Sequence, residues 1–262
     1  MGRFDIRTRT GLISGIIQGA TLFDSDAQAF IDRVTAAGGT LTEPEKLAVN
    51  TLTLNLKSAN IWTLMKAIYP MVGSSAAACA QNLKSSSFTG TFAGPWIFTS
   101  AGAKGNGSST YMNTGLLAST QLSISSAHLS VYINTLNTAN VLIGANATTA
   151  FLQNNGGILY GALAGPTTSA AITGTVFFVM VNRQTNTVQK VIKNATVLGT
   201  SSSTASAYPS AQNIFVGAYN ATGNSSDATF AFSSIGDGLS DAEAISFYNA
   251  IQTFQTSLSR QV

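Results

Sequence analysis

The sequence contains no Asp and no Glu between Glu45 and Asp227, although this interval holds most of its 262 residues. The acidic residues are confined to the two ends: Asp5, Asp24, Asp26, Asp32, Glu43 and Glu45 before the interval, and Asp227, Asp237, Asp241 and Glu243 after it. General acid/base catalysis, glycoside cleavage and calcium or magnesium binding normally need carboxylates placed in a pocket. The central part of the chain is therefore expected to be neither an enzyme nor a calcium-dependent lectin.

Cysteine and histidine are almost absent, with Cys79 and His128 as the single examples. One cysteine forms no intrachain disulfide, and one residue of each type builds neither a Cys/His zinc site nor a Cys-His dyad with a supporting acid nearby. Cys79 lies among alanines, which favours a small, inert core thiol. His128 lies in an alternating apolar stretch and is expected to be a hydrogen-bonded structural residue. No catalytic residue, metal or cofactor is predicted.

Charge is scarce as well, at 9% of the chain against a usual share of about 25%. The hydrophobic fraction is 45% and the aromatic fraction 9%, so a chain of this length can build a core. The surface must therefore consist of Ser, Thr, Asn, Gln and Gly. Such a surface suits a protein that packs among its own copies or faces glycans, and an ordinary neutral surface is the alternative.

The net charge of +3 does not predict nucleic-acid binding, because the basic residues of the body are scattered and form no run with aromatics: Lys84, Lys104, Arg183, Lys190 and Lys193. No run of about 20 apolar residues predicts a membrane span. The start of the chain does not follow a signal-peptide pattern, and we interpret it as mature sequence. Neither a nucleic acid nor a membrane is an expected partner.

Residues 1–22 are expected to form an N-terminal arm. The segment contains arginines and glycines without sustained periodicity, so it has too little apolar content to fold alone. An unstructured terminus is one interpretation, and docking on a partner surface is the other. The apolar residues of the arm favour docking, and the candidate contact residues are Arg3, Phe4, Arg7, Arg9, Ile13 and Ile16.

Residues 23–68 are predicted to be helical. Ser25 with Gln28, and Thr42 with Glu45, have the spacing of capping boxes, and Gly38-Gly39 provides a stop. The apolar stretch 61–68, which ends at Tyr69-Pro70, is included in this helical segment.

Residues 69–236 have the pattern of a β-sandwich. About ten short β-type runs are separated by Gly, Ser, Asn and Pro, with no helix between them, which favours an antiparallel sandwich or jelly roll. Asn182–Asn186 resembles the tip of a hairpin. Gly102, Gly105 and Gly107 lie in a loop rather than between a strand and a helix, which disfavours a nucleotide fingerprint.

Residues 237–262 are predicted to form a closing helix. Ser240 with Glu243 has capping-box spacing. One face then carries an apolar stripe that must be buried on the sandwich or on a neighbouring subunit: Ala244, Phe247, Tyr248, Ile251, Phe254 and Leu258.

Three passages carry a resemblance to a known family: Tyr69-Pro70-Met71-Val72-Gly73, then Asn82-Leu83-Lys84 with Trp96, and then Gly105 to Gly115. Together with the closing segment 236–260, they resemble bacteriophage virion proteins that carry a concanavalin A-like (LamG-like) β-sandwich, as in phages of Bacteroidota. The resemblance covers roughly residues 30–262. These are packing and turn motifs, so they indicate architecture more than activity.

The resemblance implies a mainly β fold, a concanavalin A-like jelly-roll sandwich preceded by helices and closed by a C-terminal helix. It also implies a virion location in the capsid, tail or fibre, other virion proteins as partners of the arm, and a homo-oligomer, for which a trimer is one option. Glucanases and lectins of this fold use carboxylates that the interval 46–226 lacks. No catalytic or metal residue is therefore carried over.

The leading hypothesis is a non-enzymatic structural component of a phage particle, attached through its N-terminal region. The alternative is a calcium-independent adhesin for host surface glycans. Exposed tyrosines would stack on sugar rings, and the candidates are Tyr111, Tyr160, Tyr208 and Tyr219. Tyrosines in strands are more often half-buried packing residues.

Overall fold

The computed structural model describes residues 23–136, 140–208, 212–219 and 224–261. The helices are α1 Ser25–Ala36, α2 Glu43–Ser58, a short 3-10 helix Trp62–Leu64, α3 Ala76–Cys79, α4 Ala118–Gln121 and α5 Asp241–Ser257. The first seven strands are β1 Met65–Tyr69, β2 Thr91–Ala93, β3 Ile97–Thr99, β4 Gly102–Lys104, β5 Tyr111–Leu117, β6 Ala127–Thr135 and β7 Asn140–Asn146. The others are β8 Ala150–Asn155, β9 Ile158–Leu163, β10 Thr168–Ala171, β11 Phe177–Thr185, β12 Val188–Lys193, β13 Thr196–Ser201, β14 Asn213–Val216 and β15 Thr229–Gly236.

The strands form two antiparallel sheets stacked as a sandwich. The eight-stranded sheet has the order β13-β12-β11-β6-β15-β4-β3, with β1 paired to β15 beside this path. The seven-stranded sheet has the order β10-β9-β8-β7-β14-β5-β2. Consecutive hairpin strands alternate with neighbours that are distant in sequence, such as β11-β6, β6-β15 and β7-β14, as in a jelly roll. The predicted fold class, a concanavalin A-like sandwich with helices at both ends, is confirmed.

Two apolar cores hold the molecule together. The first lies between the two sheets and contains residues such as Val131, Leu152 and Phe230. The second lies between the eight-stranded sheet and a helical layer made of α1, α2 and α5, and it contains Phe178 and Phe247. The central strands of the eight-stranded sheet are thus buried on both faces, which agrees with the burial of all of β15 and of the first seven residues of β6.

Helix α5 packs on the sandwich as its apolar stripe requires. Ala244, Phe247, Ile251 and Phe254 are buried in the second core, and the ring of Phe247 meets that of Phe178 edge to face with centroids 5.9 Å apart. The predicted burial of this helix is confirmed. No helix among the described residues is long and apolar enough to cross a membrane.

The predicted capping boxes are confirmed at α2 and α5, where Thr42 with Glu45 and Ser240 with Glu243 exchange both hydrogen bonds. The prediction for α1 was wrong by one residue. Asp24, not Ser25, is the N-cap, and its side chain accepts a hydrogen bond from the backbone N–H of Asp26. A carboxylate also interacts favourably with the positive end of the helix dipole.

The helical prediction for 61–68 was wrong over most of its length. After the 3-10 turn Trp62–Leu64, residues Met65–Tyr69 form β1, which pairs with β15. Hydrogen bonding of β1 to the long, buried strand β15 stabilises the extended conformation more than the weak helical spacing of its apolar residues stabilises a helix.

Three further strands, β4, β10 and β13, escaped prediction because they are short or rich in Gly, Ser, Thr and Ala. The hairpin predicted at Asn182–Asn186 turns later than expected, since β11 continues to Thr185. Gly102, expected in a loop, begins β4, where a Cβ atom would lie 2.1 Å from the carbonyl oxygen of Phe230. Only glycine allows that close approach at a φ of +126°.

Candidate functional site

The outer face of the seven-stranded sheet is the candidate functional site, because the helical layer covers only the other sheet. Alternation along its strands places every second residue on this face. The remaining residues of the same strands, such as Met112, Leu152 and Leu159, point into the first core. We call this surface the open face.

One transverse row of residues crosses five strands of the open face. Asn113 pairs with Phe215, Phe215 with Gly144, Gly144 with Phe151, and Phe151 with Ala162. Paired residues of neighbouring strands point to the same side of a sheet. The row therefore consists of one partly exposed amide, two aromatic rings that are buried at 8% exposure for Phe215 and 4% for Phe151, and two small buried residues.

Tyr111 lies at one end of the open face, two residues from Asn113 on β5. Its ring meets the ring of Phe215 edge to face, with centroids 5.5 Å apart. Beside it, the side-chain nitrogen of Asn213 donates a hydrogen bond to Oδ1 of Asn113 over 3.1 Å. Tyr111 and both asparagines are partly exposed, so this end offers an aromatic ring next to amide groups.

Tyr160 lies at the other end, on β9. It pairs with Gln153 on one side and with Ser169 on the other, and these three side chains also point outward. Strands β5 and β9 are four strand spacings apart, so the two tyrosines are separated by about 19 Å across the sheet. That separation is the length of an oligosaccharide of several sugars rather than of a single one.

The open face has no charged side chain among its described residues. These residues are Thr91, Ala93, Tyr111, Asn113, Val141, Gly144, Phe151, Gln153, Asn155, Ile158, Tyr160, Ala162, Ser169, Ala171, Asn213 and Phe215. Val141, Gly144, Phe151, Ala162 and Phe215 are buried in the middle of the face. The accessible groups are the rings of Tyr111 and Tyr160 with uncharged amides and hydroxyls, which match a neutral, hydroxyl-rich ligand. They provide no acid, base or nucleophile with an activating partner.

The other two predicted tyrosines lie outside the strands that form the open face. Tyr208 is buried at 8% exposure, its hydroxyl donates to the carbonyl of Ser123 over 3.2 Å, and burial raises its pKa. Its role as a glycan contact was wrong, because a buried ring cannot stack on a ligand. Tyr219 is partly exposed, and its hydroxyl accepts a hydrogen bond from the side chain of Asn224 over 3.0 Å.

Five carboxylates cap helices or pair with lysines in and beside the helical layer. Asp24, Glu45 and Glu243 cap helices. Asp237 forms an ion pair with Lys66, and Asp241 forms one with Lys190. The hydrogen bonds from Lys190, followed by one from Gln184, hold the pKa of the Asp241 carboxyl below its usual range. In the described part of the chain no group of three or more His, Cys, Asp and Glu could hold a metal ion.

The single cysteine and histidine are structural, as predicted. Cys79 is buried, its thiol donates to the carbonyl of Val72, and burial raises its pKa to about 12. His128 is fully buried between β15 and α5, and both ring nitrogens have hydrogen-bond partners, the carbonyl of Asp237 and the hydroxyl of Ser234.

A cleft of about 500 Å³ lies where the start of α2 meets the end of α5. Its lining includes Thr42, Ser74, Ser257 and Glu45. The Glu45 carboxylate already accepts hydrogen bonds from the backbone N–H groups of Thr42 and Gly73. The one acid of the cleft is therefore occupied by capping, so we assign no chemistry to it.

The six predicted docking residues Arg3, Phe4, Arg7, Arg9, Ile13 and Ile16 lie outside the described residues. The amides and rings beside Tyr111 and Tyr160 were missed, because pairing across five strands is not visible in one sequence. Alternation in runs such as 150–155 was the available signal, and it shows which residues share a face but not which strands are neighbours.

No protein-family model matches the chain, and no curated protein matches it. Several solved structures are similar to the chain. Domain 4 of AbnA, a GH43 extracellular arabinanase from Geobacillus stearothermophilus, in complex with arabinotriose, is 14% identical with a TM-score of 0.47, over 70% of this chain and 98% of that one.

Two larger proteins are also similar. A mutant Trypanosoma rangeli sialidase that displays trans-sialidase activity is 11% identical with a TM-score of 0.50, over 78% of this chain and 39% of that one. The binding domain of botulinum neurotoxin serotype D is 11% identical with a TM-score of 0.48, over 72% of this chain and 52% of that one. The chain thus spans well under two thirds of these two proteins. At 11% identity and a TM-score of 0.50, the similarity to the sialidase shows a shared β-sandwich fold and nothing more.

Proposed function

We propose that the protein is a non-enzymatic structural component of a phage particle, a capsid-associated, tail or fibre protein attached through its N-terminal region. The observation that carries the proposal is that the helical layer and the open face lie on opposite sides of the molecule. Phe23 leads directly into α1, within the helical layer, and the open face lies on the opposite side of the sandwich. A protein attached by residues 1–22 would therefore present the open face outward.

The resemblance of segments 69–73, 105–115 and 236–260 to phage virion proteins supports the particle as the location. Other virion proteins would then be the partners of the arm, with Arg3, Phe4, Arg7 and Arg9 as contact residues. Several copies in one particle, for example as trimers, would suit a surface with so little charge, because weakly charged copies do not repel one another.

The placement of the acids supports a non-enzymatic role. The carboxylates of Asp24, Glu45 and Glu243 are bound to helix ends, and those of Asp237 and Asp241 are paired with lysines. A general acid or base must be within hydrogen-bond reach of a substrate. These five carboxylates lie in or beside the helical layer and not on the open face.

Deletion of residues 1–22 tests the proposal. We expect the truncated protein to remain folded, because the described buried residues of both cores lie within 27–254, and to disappear from purified particles. Circular dichroism and the midpoint of urea unfolding would verify the fold. Quantitative mass spectrometry of particles carrying either form would measure incorporation. Equal incorporation of the truncated, folded protein would contradict attachment through the N-terminal region.

A second candidate function is calcium-independent glycan binding on the open face. The specific observation is the combination of Tyr111 and Tyr160, at the two ends of this face, with the amides of Asn113, Gln153 and Asn213, and no charged group among the described residues of the face. Sugar rings stack on aromatic side chains, and amides donate and accept hydrogen bonds with hydroxyl groups. The favoured ligand is an uncharged oligosaccharide.

Substitution of Tyr160 or Tyr111 by Ala tests this second function. Each change removes a stacking ring without emptying the core, so we expect at least about a tenfold loss of affinity, which is 1.4 kcal/mol. A glycan array with and without EDTA, followed by calorimetry on any hit, would measure it. Ile245→Ala on the helical layer is the matched control and should bind normally. Loss of binding in EDTA, or full binding by Y111A/Y160A, would contradict the assignment.

A further inference from the structure

The sequence contains two asparagines that directly precede a glycine, at Asn106-Gly107 and Asn155-Gly156. Asparagine is a chemically labile residue, because the backbone nitrogen that follows it can attack its side-chain carbonyl carbon. A following glycine favours this attack, since it has no Cβ to hinder the approach. The two pairs have the same local sequence chemistry, so their surroundings in the fold decide which of them reacts.

Asn106 and Gly107 are held by hydrogen bonds at both of the groups that would react. Oδ1 of Asn106 accepts from the backbone N–H groups of Ser109 over 2.9 Å and of Thr110 over 3.2 Å, and Nδ2 donates to the hydroxyl of Ser109. The backbone N–H of Gly107 donates to the carbonyl of Ser226 over 3.2 Å. These bonds must break before the Gly107 nitrogen can reach the Asn106 side chain, so the fold protects this pair.

Asn155 and Gly156 lie at the tip of the β8–β9 hairpin. Strand β8 ends at Asn155 and β9 begins at Ile158. The two residues between them have positive φ, +60° at Gly156 and +80° at Gly157, as in a type I′ turn. All four residues are exposed. The hairpin tip is therefore open to water on both strands.

The reacting groups of this second pair are free. In the described part of the chain, neither the backbone N–H of Gly156 nor the carboxamide of Asn155 makes a hydrogen bond. A Cβ atom built on Gly156 would meet no atom within 4 Å, so there is room for a ring to form. The attack requires Asn155 to leave its extended conformation, and local opening of an exposed turn allows that change.

We propose that Asn155 is a site of spontaneous deamidation in the folded protein. The backbone nitrogen of Gly156 attacks Cγ of Asn155, and a C–N bond forms. The bond from Cγ to Nδ2 breaks, and ammonia leaves with the proton that the Gly156 nitrogen gives up. Water then opens the resulting succinimide at either of its carbonyl groups. The product at this position is aspartate or isoaspartate, and water is the co-reactant.

The reaction changes the charge of the open face. Asn155 pairs with Ile158, and Gln153, two positions earlier on the same side of β8, pairs with Tyr160. Tyr160 is therefore a diagonal neighbour of Asn155, about 7–8 Å away. Deamidation places a carboxylate beside this ring, within the interval of the sequence that contains no acid. The inference concerns the chemistry of the hairpin and does not depend on what the open face binds.

Incubation of the purified full-length protein in mildly alkaline buffer tests the inference. Peptide mapping by mass spectrometry would measure conversion at each site, in water enriched in heavy oxygen so that carboxylates formed during the incubation are labelled. We expect Asn155 to react at least about tenfold faster than Asn106, because the hydrogen bonds of Asn106 and Gly107 must break first. An isoaspartyl methyltransferase would detect the isoaspartate fraction of the product.

The same protein unfolded in urea is the matched control. Without the fold, Asn106 should accelerate and the two sites should react at similar rates. Asn155→Gln should remain folded and should not form the acidic species on ion exchange, because closure of the larger ring from glutamine is slow. Equal rates at the two sites in the folded protein would overturn the inference. So would reaction of Asn155 only in urea, or an unchanged acidic species in N155Q.

Discussion

Replacement of Arg260 by Ala should lower the free energy of unfolding by about 3 kcal/mol, even though only two residues follow it in the sequence. Arg260 is only 5% exposed, and its guanidinium fills a buried site between α5, β15 and the loop after β1. Its donors reach the carbonyl oxygens of Met71, Pro70 and Ala231 and the side-chain oxygen of Gln255.

The expected loss has two opposing parts. Removal of the side chain leaves several buried acceptors without a donor, at about 1–3 kcal/mol each. It also relieves the cost of burying a cation, since burial lowers the pKa of Arg260 to about 10 and the partners hydrogen-bonded to it are neutral oxygens. The loss of hydrogen bonds should outweigh the relief from burying a cation, because the planar guanidinium satisfies four acceptors at once. The guanidinium also lies 5.3 Å from the centre of the Phe254 ring, a distance typical of a cation–π interaction.

Urea unfolding of R260A, R260K and R260M would measure the effect. Lysine keeps the positive charge but lacks the planar, branched guanidinium that donates to several acceptors at once. R260K should therefore lose nearly as much stability as R260A. Arg33→Ala is the comparison at a partly exposed arginine that donates to two carbonyls, and it should cost less. If R260M unfolded at the same urea concentration as the natural protein, the hydrogen bonds of Arg260 would contribute no net stability.

The fold was predictable because its signals are local. Capping boxes at Thr42 and Ser240, the apolar stripe of α5 and alternating runs such as 127–134 depend on residues a few positions apart. These signals established helices at both ends and a sandwich between them. They did not establish β1, whose residues follow a helical pattern but pair with β15, more than 160 positions away in the sequence.

The candidate site was only partly predictable, for the same physical reason. Tyr111 and Tyr160 were recognised as aromatic residues with polar neighbours, and alternation places both on strands. Nothing local indicates that both strands lie in one sheet, or that the helices cover the other one. Tyr208 has the same local character and is buried, because its environment depends on the distant Ser123.

The positions of the carboxylates in the structure explain why the central interval of the sequence contains no acidic residue. Carboxylates occur where helices need caps and where lysines reach the helical layer. Most of the interval without acids forms the sandwich, whose buried donors, the guanidinium of Arg183 included, bind carbonyl, amide and hydroxyl oxygens, as in the bonds from Arg183 to Leu163 and Gln189 and from Gln189 to Thr168. Because neutral acceptors satisfy these donors, the sandwich needs no acidic residue.

Acidification from pH 7 to pH 5 should destabilise the protein by about 2 kcal/mol through His128 alone. Burial lowers the pKa of His128 to about 4 from an ordinary value of 6.5. Below pH 6.5 the unfolded chain therefore binds a proton that the folded protein does not bind. Stability is fully present above pH 6.5 and falls progressively until the pH reaches about 4.

The hydrogen bonds of His128 explain why the folded protein keeps the ring neutral. The carbonyl of Asp237 can only accept, so Nδ1 carries the proton and donates over 2.7 Å. Nε2 then accepts from the hydroxyl of Ser234 over 3.0 Å, and Ser234 in turn accepts from Ser130 over 2.7 Å. A second proton on the ring would reverse this chain of bonds beneath the ring of Phe247, away from water.

Because His128 is the only histidine, one substitution isolates the effect. His128→Gln should be less stable than the natural protein at pH 7, yet its stability should be nearly constant between pH 7 and pH 5. Urea unfolding at half-unit pH intervals would give both profiles. Carboxylates titrate mainly below this window, and the pKa of Asp241 is lowered further by Lys190. An equal slope in the two proteins would show that another group, rather than His128, causes the loss of stability in acid.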